Sequence, residues 1–109
     1  MTQKGEVRIF SAPDYPEWSK LGYSAVPAEP EIGQGNSAVS LTTYAIYSAD
    51  GAAEVCSQIR RILRAAGVPV ETVQGNEFQC IRPEALLEVL DAVARLQGNP
   101  EGIEKKYAN

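Results

Sequence analysis

The sequence predicts an α+β two-layer sandwich, with two helices covering one face of an antiparallel sheet of about four strands. Three observations lead there. Residues 38–47 are a run rich in β-branched and aromatic side chains, the composition that suits a half-buried pleated surface. Val55, Ile59, Ile62 and Ala66 then recur at i, i+4, i+7 and i+11, one apolar stripe of a helix. After it, two short apolar runs flank the turn signal Gln74-Gly75-Asn76, as in a hairpin.

Each element follows in chain order. Residues 6–10 alternate polar and apolar and read as a short strand. Residues 11–37 carry four prolines and three glycines, so they are expected to form a long loop. Its Trp18, Leu21, Tyr23 and Val26 should pack on the body of the domain, with a helical turn around residues 17–21. The strand 38–47 places Leu41, Thr43, Ala45 and Tyr47 on one face and Tyr44 and Ile46 on the other. Asp50 is the expected N-cap of the first helix, residues 52–66, whose stripe Cys56 and Leu63 widen. Arg60, Arg61 and Arg64 near its end complement the helix dipole, and Gly67 fits the left-handed C′ position. Strands follow at 68–73, which Pro69 demotes to an edge, and at 77–81. Pro83 opens a second helix over residues 84–97, with Leu86, Leu90, Val93 and Leu96 or Leu87 inward. The tail, 98–109, reads as short, charged and a poor strand.

Length and composition bound the chemistry. The 109 residues suit one domain, and 44% hydrophobic with 22% charged residues is ordinary globular composition. A formal charge of -4 disfavours nucleic acid and anionic membrane surfaces, both of which attract an excess of Lys and Arg. No apolar run approaches a membrane span, and no apolar segment follows the N-terminus as in a signal peptide, so a cytoplasmic location is expected. There is no histidine, which removes Ser-His and Cys-His nucleophile pairs and the commonest metal ligand. With only Cys56 and Cys80, far apart, no metal or other cofactor is expected, and both cysteines read as buried thiols.

The run β-α-β-β-α over residues 38–97 is most of a ferredoxin-like split βαβ unit. The strand missing after the second helix would be supplied by residues 6–10 at the empty edge, a circular permutation of that order. Residues 52–70, through Leu63-Arg64-Ala65-Ala66-Gly67-Val68-Pro69-Val70, resemble the helix–glycine–strand step of ACT-type regulatory domains. The resemblance implies an effector site at the turn opening the helix, here Asp50-Gly51-Ala52, which lacks that family's proline.

Candidate ligand or partner residues fall in two groups. Asp14, Tyr15, Trp18 and Tyr23 combine aromatics and a carboxylate on the loop, where they either meet a ligand or anchor the loop on the sheet. Tyr44, Tyr47 and Asp50 gather at a strand end and helix start. The arginine group on the first helix could grip an anion, against its simpler role at a helix end. The sheet face holding Tyr44, Ile46, Phe10, Val73 and Ile81 would serve self-association unless the loop covers it. The expected function is therefore a non-catalytic binding module for a small molecule or another protein, acting as a homodimer. The alternatives are a cofactor-independent enzyme using Tyr and Asp for proton transfer, or an ACT-like effector domain.

Overall fold

The chain is described by a computed structural model covering residues 4–25 and 41–105. Strand β1 (Lys4–Ser11) is followed by β2 (Ser19–Ala25), β3 (Thr42–Asp50), helix α1 (Ala52–Ala65), β4 (Val70–Val73), β5 (Asn76–Gln79), helix α2 (Pro83–Leu96) and β6 (Ile103–Lys105). The six strands form one antiparallel sheet in the order β4-β5-β2-β1-β3-β6. Both helices pack on one face of it. The α+β architecture is as expected, but among the described residues there are six strands rather than four, and their order differs from the ferredoxin-like one.

Two of those differences come from segments that looked like loop. Part of the expected 11–37 loop is the strand β2, and the turn expected around residues 17–21 is not helical. Ser19-Lys20-Leu21-Gly22-Tyr23 does alternate, but Gly22 and the surrounding prolines hide the pattern. The strand forms because β1 offers it a continuous ladder, from Gly5↔Ala25 to Ser11↔Ser19. Val26 and residues 27–40 lie outside the described residues, as does Tyr107. The tail was expected to be a poor strand, yet after a 3₁₀ turn at Pro100–Gly102 it supplies β6, which pairs with β3 from Tyr47↔Ile103 to Ala45↔Lys105. No permutation is needed, and β1 is not an edge but sits between β2 and β3.

The core follows from strand alternation and helix periodicity. Val7 and Ile9 of β1, Leu21 of β2, and Ala45 and Tyr47 of β3 point toward the helices. They meet Val55, Cys56, Ile59 and Leu63 of α1 and Leu86, Leu90, Val93 and Ala94 of α2, all buried. The α1 stripe is rotated slightly from the expected one, because Ile62 is 39% exposed and Ala66 is exposed too. Leu96, offered as an inward residue of α2, is 79% exposed. The N-cap of α1 is Gly51, not Asp50: the chain turns there at φ 70°, a conformation open to glycine. At the other end Gly67 takes the C′ position as expected, with Val68 N–H donating to Leu63 C=O at 2.9 Å.

Candidate functional site

A β-bulge shapes the candidate site. Along β1 and β3 the pairing runs Ile9↔Ala45 and then Phe10↔Thr43, so Tyr44 is the extra residue. In a bulge two residues oppose one, which upsets the strict alternation of faces. Tyr44 therefore packs against the helix-side core with Ala45 and Tyr47, rather than on the opposite face as alternation predicts. Ile46 does lie opposite, level with Arg8 on the face the helices leave open.

The ring of Tyr44 contributes to a groove of about 570 Å³ between α2 and the β3–β6 edge. Leu87, Pro100 and Ile103 supply its other apolar surface. Glu84, Glu88, Asp91 and Arg95 form its helical wall, at the spacing that lines up one stripe of a helix, and Lys105 stands on the strand side. Arg95 Nε donates to Asp91 Oδ2 at 2.9 Å, closing one end of that stripe as an i,i+4 ion pair. A second cavity of about 350 Å³ shares Tyr44 and Glu84 and continues past Pro83 to Pro13 and Pro16. The two make one furrow with Tyr44 at its middle. Its geometry suits a ligand with an apolar part against Tyr44, Leu87 and Ile103 and polar ends against the rim.

Of the predicted site residues, Tyr15 and Trp18 are brought together, whereas Tyr44, Tyr47 and Asp50 are not. Tyr44 lies in the furrow. Tyr47 is 0% exposed beneath the helices, and its hydroxyl has no hydrogen-bond partner among the described residues. Asp50 ends β3, its backbone opposite Lys4. At the usual rise of ~3.3 Å per residue, that is roughly 20 Å along the strand from Tyr44.

Tyr15 and Trp18 belong to a second cluster on the open face. Their rings stack at 5.1 Å with 6° between planes, and both lean on Phe78 of β5, at 5.8 and 5.9 Å. Two successive turns set this up: Tyr15 N–H donates to Ala12 C=O at 2.9 Å and Trp18 N–H to Tyr15 C=O at 3.0 Å. Pro13 and Pro16 stand at the second position of each turn, where fixed φ suits the bend. Asp14 is exposed beside them. Tyr23, level with Val7 on β2, is 54% exposed and joins neither group.

The acidic stripe of α2, with Ile103 and Lys105, is the part of the furrow that no sequence motif marks. Its signal was present in the spacing of Glu84, Glu88, Asp91 and Arg95. The tail's contribution had none, because three residues hardly declare a strand. Of the α1 arginines, Arg60 donates from Nη2 to the Leu21 carbonyl at 3.3 Å, an internal role.

Cys56 and Cys80 are free thiols, Cys56 buried and Cys80 half-buried. Burial pushes the Cys56 thiol up, against the pull of the Arg60 charge; burial and the nearby Glu71 carboxylate both push Cys80 up. Both are therefore neutral thiols near pH 7. Among the described residues no group of three or more Cys, Asp or Glu could hold a metal ion, and no helix is long and apolar enough to cross a membrane. Comparison of the chain with protein-family models, with curated proteins and with solved structures finds no significant match in any of the three.

Proposed function

We propose that this chain is a non-catalytic binding module of the cytoplasm, whose ligand site is the furrow beside α2, and that it acts as a homodimer. The bulge at Tyr44 carries the reading. It places an aromatic ring at the junction of two cavities that strict alternation would have left without it. An apolar surface ringed by a few charged groups is the usual composition of a small-molecule or short-peptide site. The chain order β3-α1-β4-β5-α2-β6 has the β-α-β-β-α-β sequence of ferredoxin-like domains, with the β1–β2 pair set between β3 and β5 in the sheet. We read the fold as a ferredoxin-like variant on that ground, and such domains host many functions, so the site and not the fold supports the assignment.

The homodimer is proposed through the open sheet face, where Phe10 and Ile46 are half-buried beside the Glu6–Arg8 ion pair at 2.8 Å. A thermal-shift screen of metabolites and short peptides tests the ligand site, since binding to the native state raises the melting temperature. Hits should lose their shift in Leu87→Glu, which places a charge on the apolar floor. Hits that survive that change, or a broad screen with none, would count against the furrow. Sedimentation at ~100 μM tests the dimer separately, and a monomer there removes it, because an interface above roughly 1,200 Å² would hold at that concentration.

A further inference from the structure

The sheet is unevenly stitched. On either side of β1 the ladders are continuous, to β2 from Gly5↔Ala25 to Ser11↔Ser19 and to β3 from Lys4↔Asp50 to Ser11↔Thr42 with one bulge. Within the terminal hairpin, β4 and β5 pair from Val70↔Gln79 to Val73↔Asn76. Between that hairpin and the other strands there is, among the described residues, one register pair, Ser19↔Gln79.

Beyond that pair, side chains take over at the seam. Arg60 Nη2 donates to the Leu21 carbonyl at 3.3 Å, on the strand that would otherwise continue its ladder to β5. Lys20 Nζ reaches across to Asn76 Oδ1 at 2.7 Å. The hairpin also buries little apolar surface: Val70, Glu71 and Thr72 of β4 are exposed, Asn76 and Gln79 of β5 are buried but polar, and its apolar burial is Phe78, with Val73 half-buried, against Tyr15 and Trp18. At its base, Cys80 N–H donates to Pro69 C=O at 2.9 Å, just inside Val68 and Ile81, which are packed on the main core.

We propose that the β4–β5 hairpin is a hinged flap, which lifts as a unit at Pro69 and Cys80 while β1–β3 and both helices stay folded. Its internal ladder keeps it together, and the hinge is fixed because Val68 and Ile81 remain in the core. Lifting breaks the Ser19–Gln79 pair and the Lys20–Asn76 bridge, and withdraws Phe78 from the two stacked rings. Seated, the flap masks the outer edge of β2 next to Ser19; lifted, it opens that edge to strand addition, the hazard and the opportunity of any bare edge. The groove between α2 and the β3–β6 edge takes no part in this device, although the second cavity of the furrow reaches the Pro13 and Pro16 turns that also carry Tyr15 and Trp18.

Trp18 is the one tryptophan of the chain, so its fluorescence reports the seating of Phe78 directly. Urea titration of the full chain, followed by Trp18 fluorescence and by far-UV circular dichroism, should give an earlier transition in fluorescence. Native-state hydrogen exchange should show the amides of residues 70–79 at least ~10-fold less protected than those of β1, through an opening of small surface exposure. Lys20→Met should lower protection in 70–79 by about fivefold further, the worth of one half-exposed hydrogen bond, and leave β1 and β3 unchanged. Coincident transitions, with equal protection of β5 and β1 in the unaltered protein, would overturn the flap, and so would a Lys20→Met effect spread evenly over the sheet.

Discussion

Among the described residues there are two apolar clusters of different kinds. The larger lies between the helices and the sheet, and draws on α1, α2, β1, β2 and β3 at positions set by period 3.6 or period 2. The smaller, on the open face, joins Ala12 and Phe78 to Tyr15, Trp18, Leu41 and Val73, and owes its geometry to two proline turns. Every member of the first is supported by neighbours from several elements. The second rests on Phe78 and one seven-residue connection, with Val73 of β4 and Leu41 before β3 at its margin. Redundancy of support makes the first the common foundation of the fold, and leaves the second able to come apart alone.

Substitutions can break or sharpen this contrast. The largest effect is expected from Leu90→Ala in the main core, where a cavity under fully buried neighbours should cost about 2–5 kcal/mol. Urea curves by fluorescence and by circular dichroism should both move. Phe78→Leu should cost about 1–2 kcal/mol, since a smaller apolar residue keeps part of the burial but loses the ring contacts. The contrast predicts that only the fluorescence transition follows it; an equal shift in both probes would merge the two clusters into one cooperative unit.

Tyr47→Phe should raise stability by about 1 kcal/mol, because a buried hydroxyl without a partner costs desolvation and returns no bond. A calorimetric melting point below that of the parent would show that the hydroxyl is satisfied. The smallest effect belongs to the flap's turn. Gln74 and Gly75 both have positive φ, at 53° and 80°, as a two-residue hairpin turn of type I′ requires. Gln74→Asn suits that turn better and should stabilise the hairpin by roughly 0.5 kcal/mol, visible as slower exchange of residues 70–79 with β1 unaffected.

Parts of the site were readable beforehand and parts were not. The helical wall of the furrow was present in the spacing of Glu84, Glu88, Asp91 and Arg95, once α2 itself was recognised. The place of Tyr44 was not, because a bulge depends on how β3 meets β1 and leaves no mark on either strand alone. Tyr15 and Trp18 stood in a doubled pattern, Ala12-Pro13-Asp14-Tyr15 and Tyr15-Pro16-Glu17-Trp18, that specifies the two turns but not the ring they lean on. β6 was hidden for a related reason: three residues form a strand there because β3 has an edge to offer, not because of their own preference.

By itself the sequence determined the two helices, the hairpin, most of the inward residues of each helix and the absence of histidine chemistry. Those follow from local periodicity, turn geometry and composition, which act within a few residues. Tertiary structure alone decided that β1 would be central, that residues 19–25 would be a strand, which face Tyr44 would take and how thinly β5 would join β2. Each of these is a pairing between distant segments, and the free energy of a pairing belongs to neither segment until both are in place.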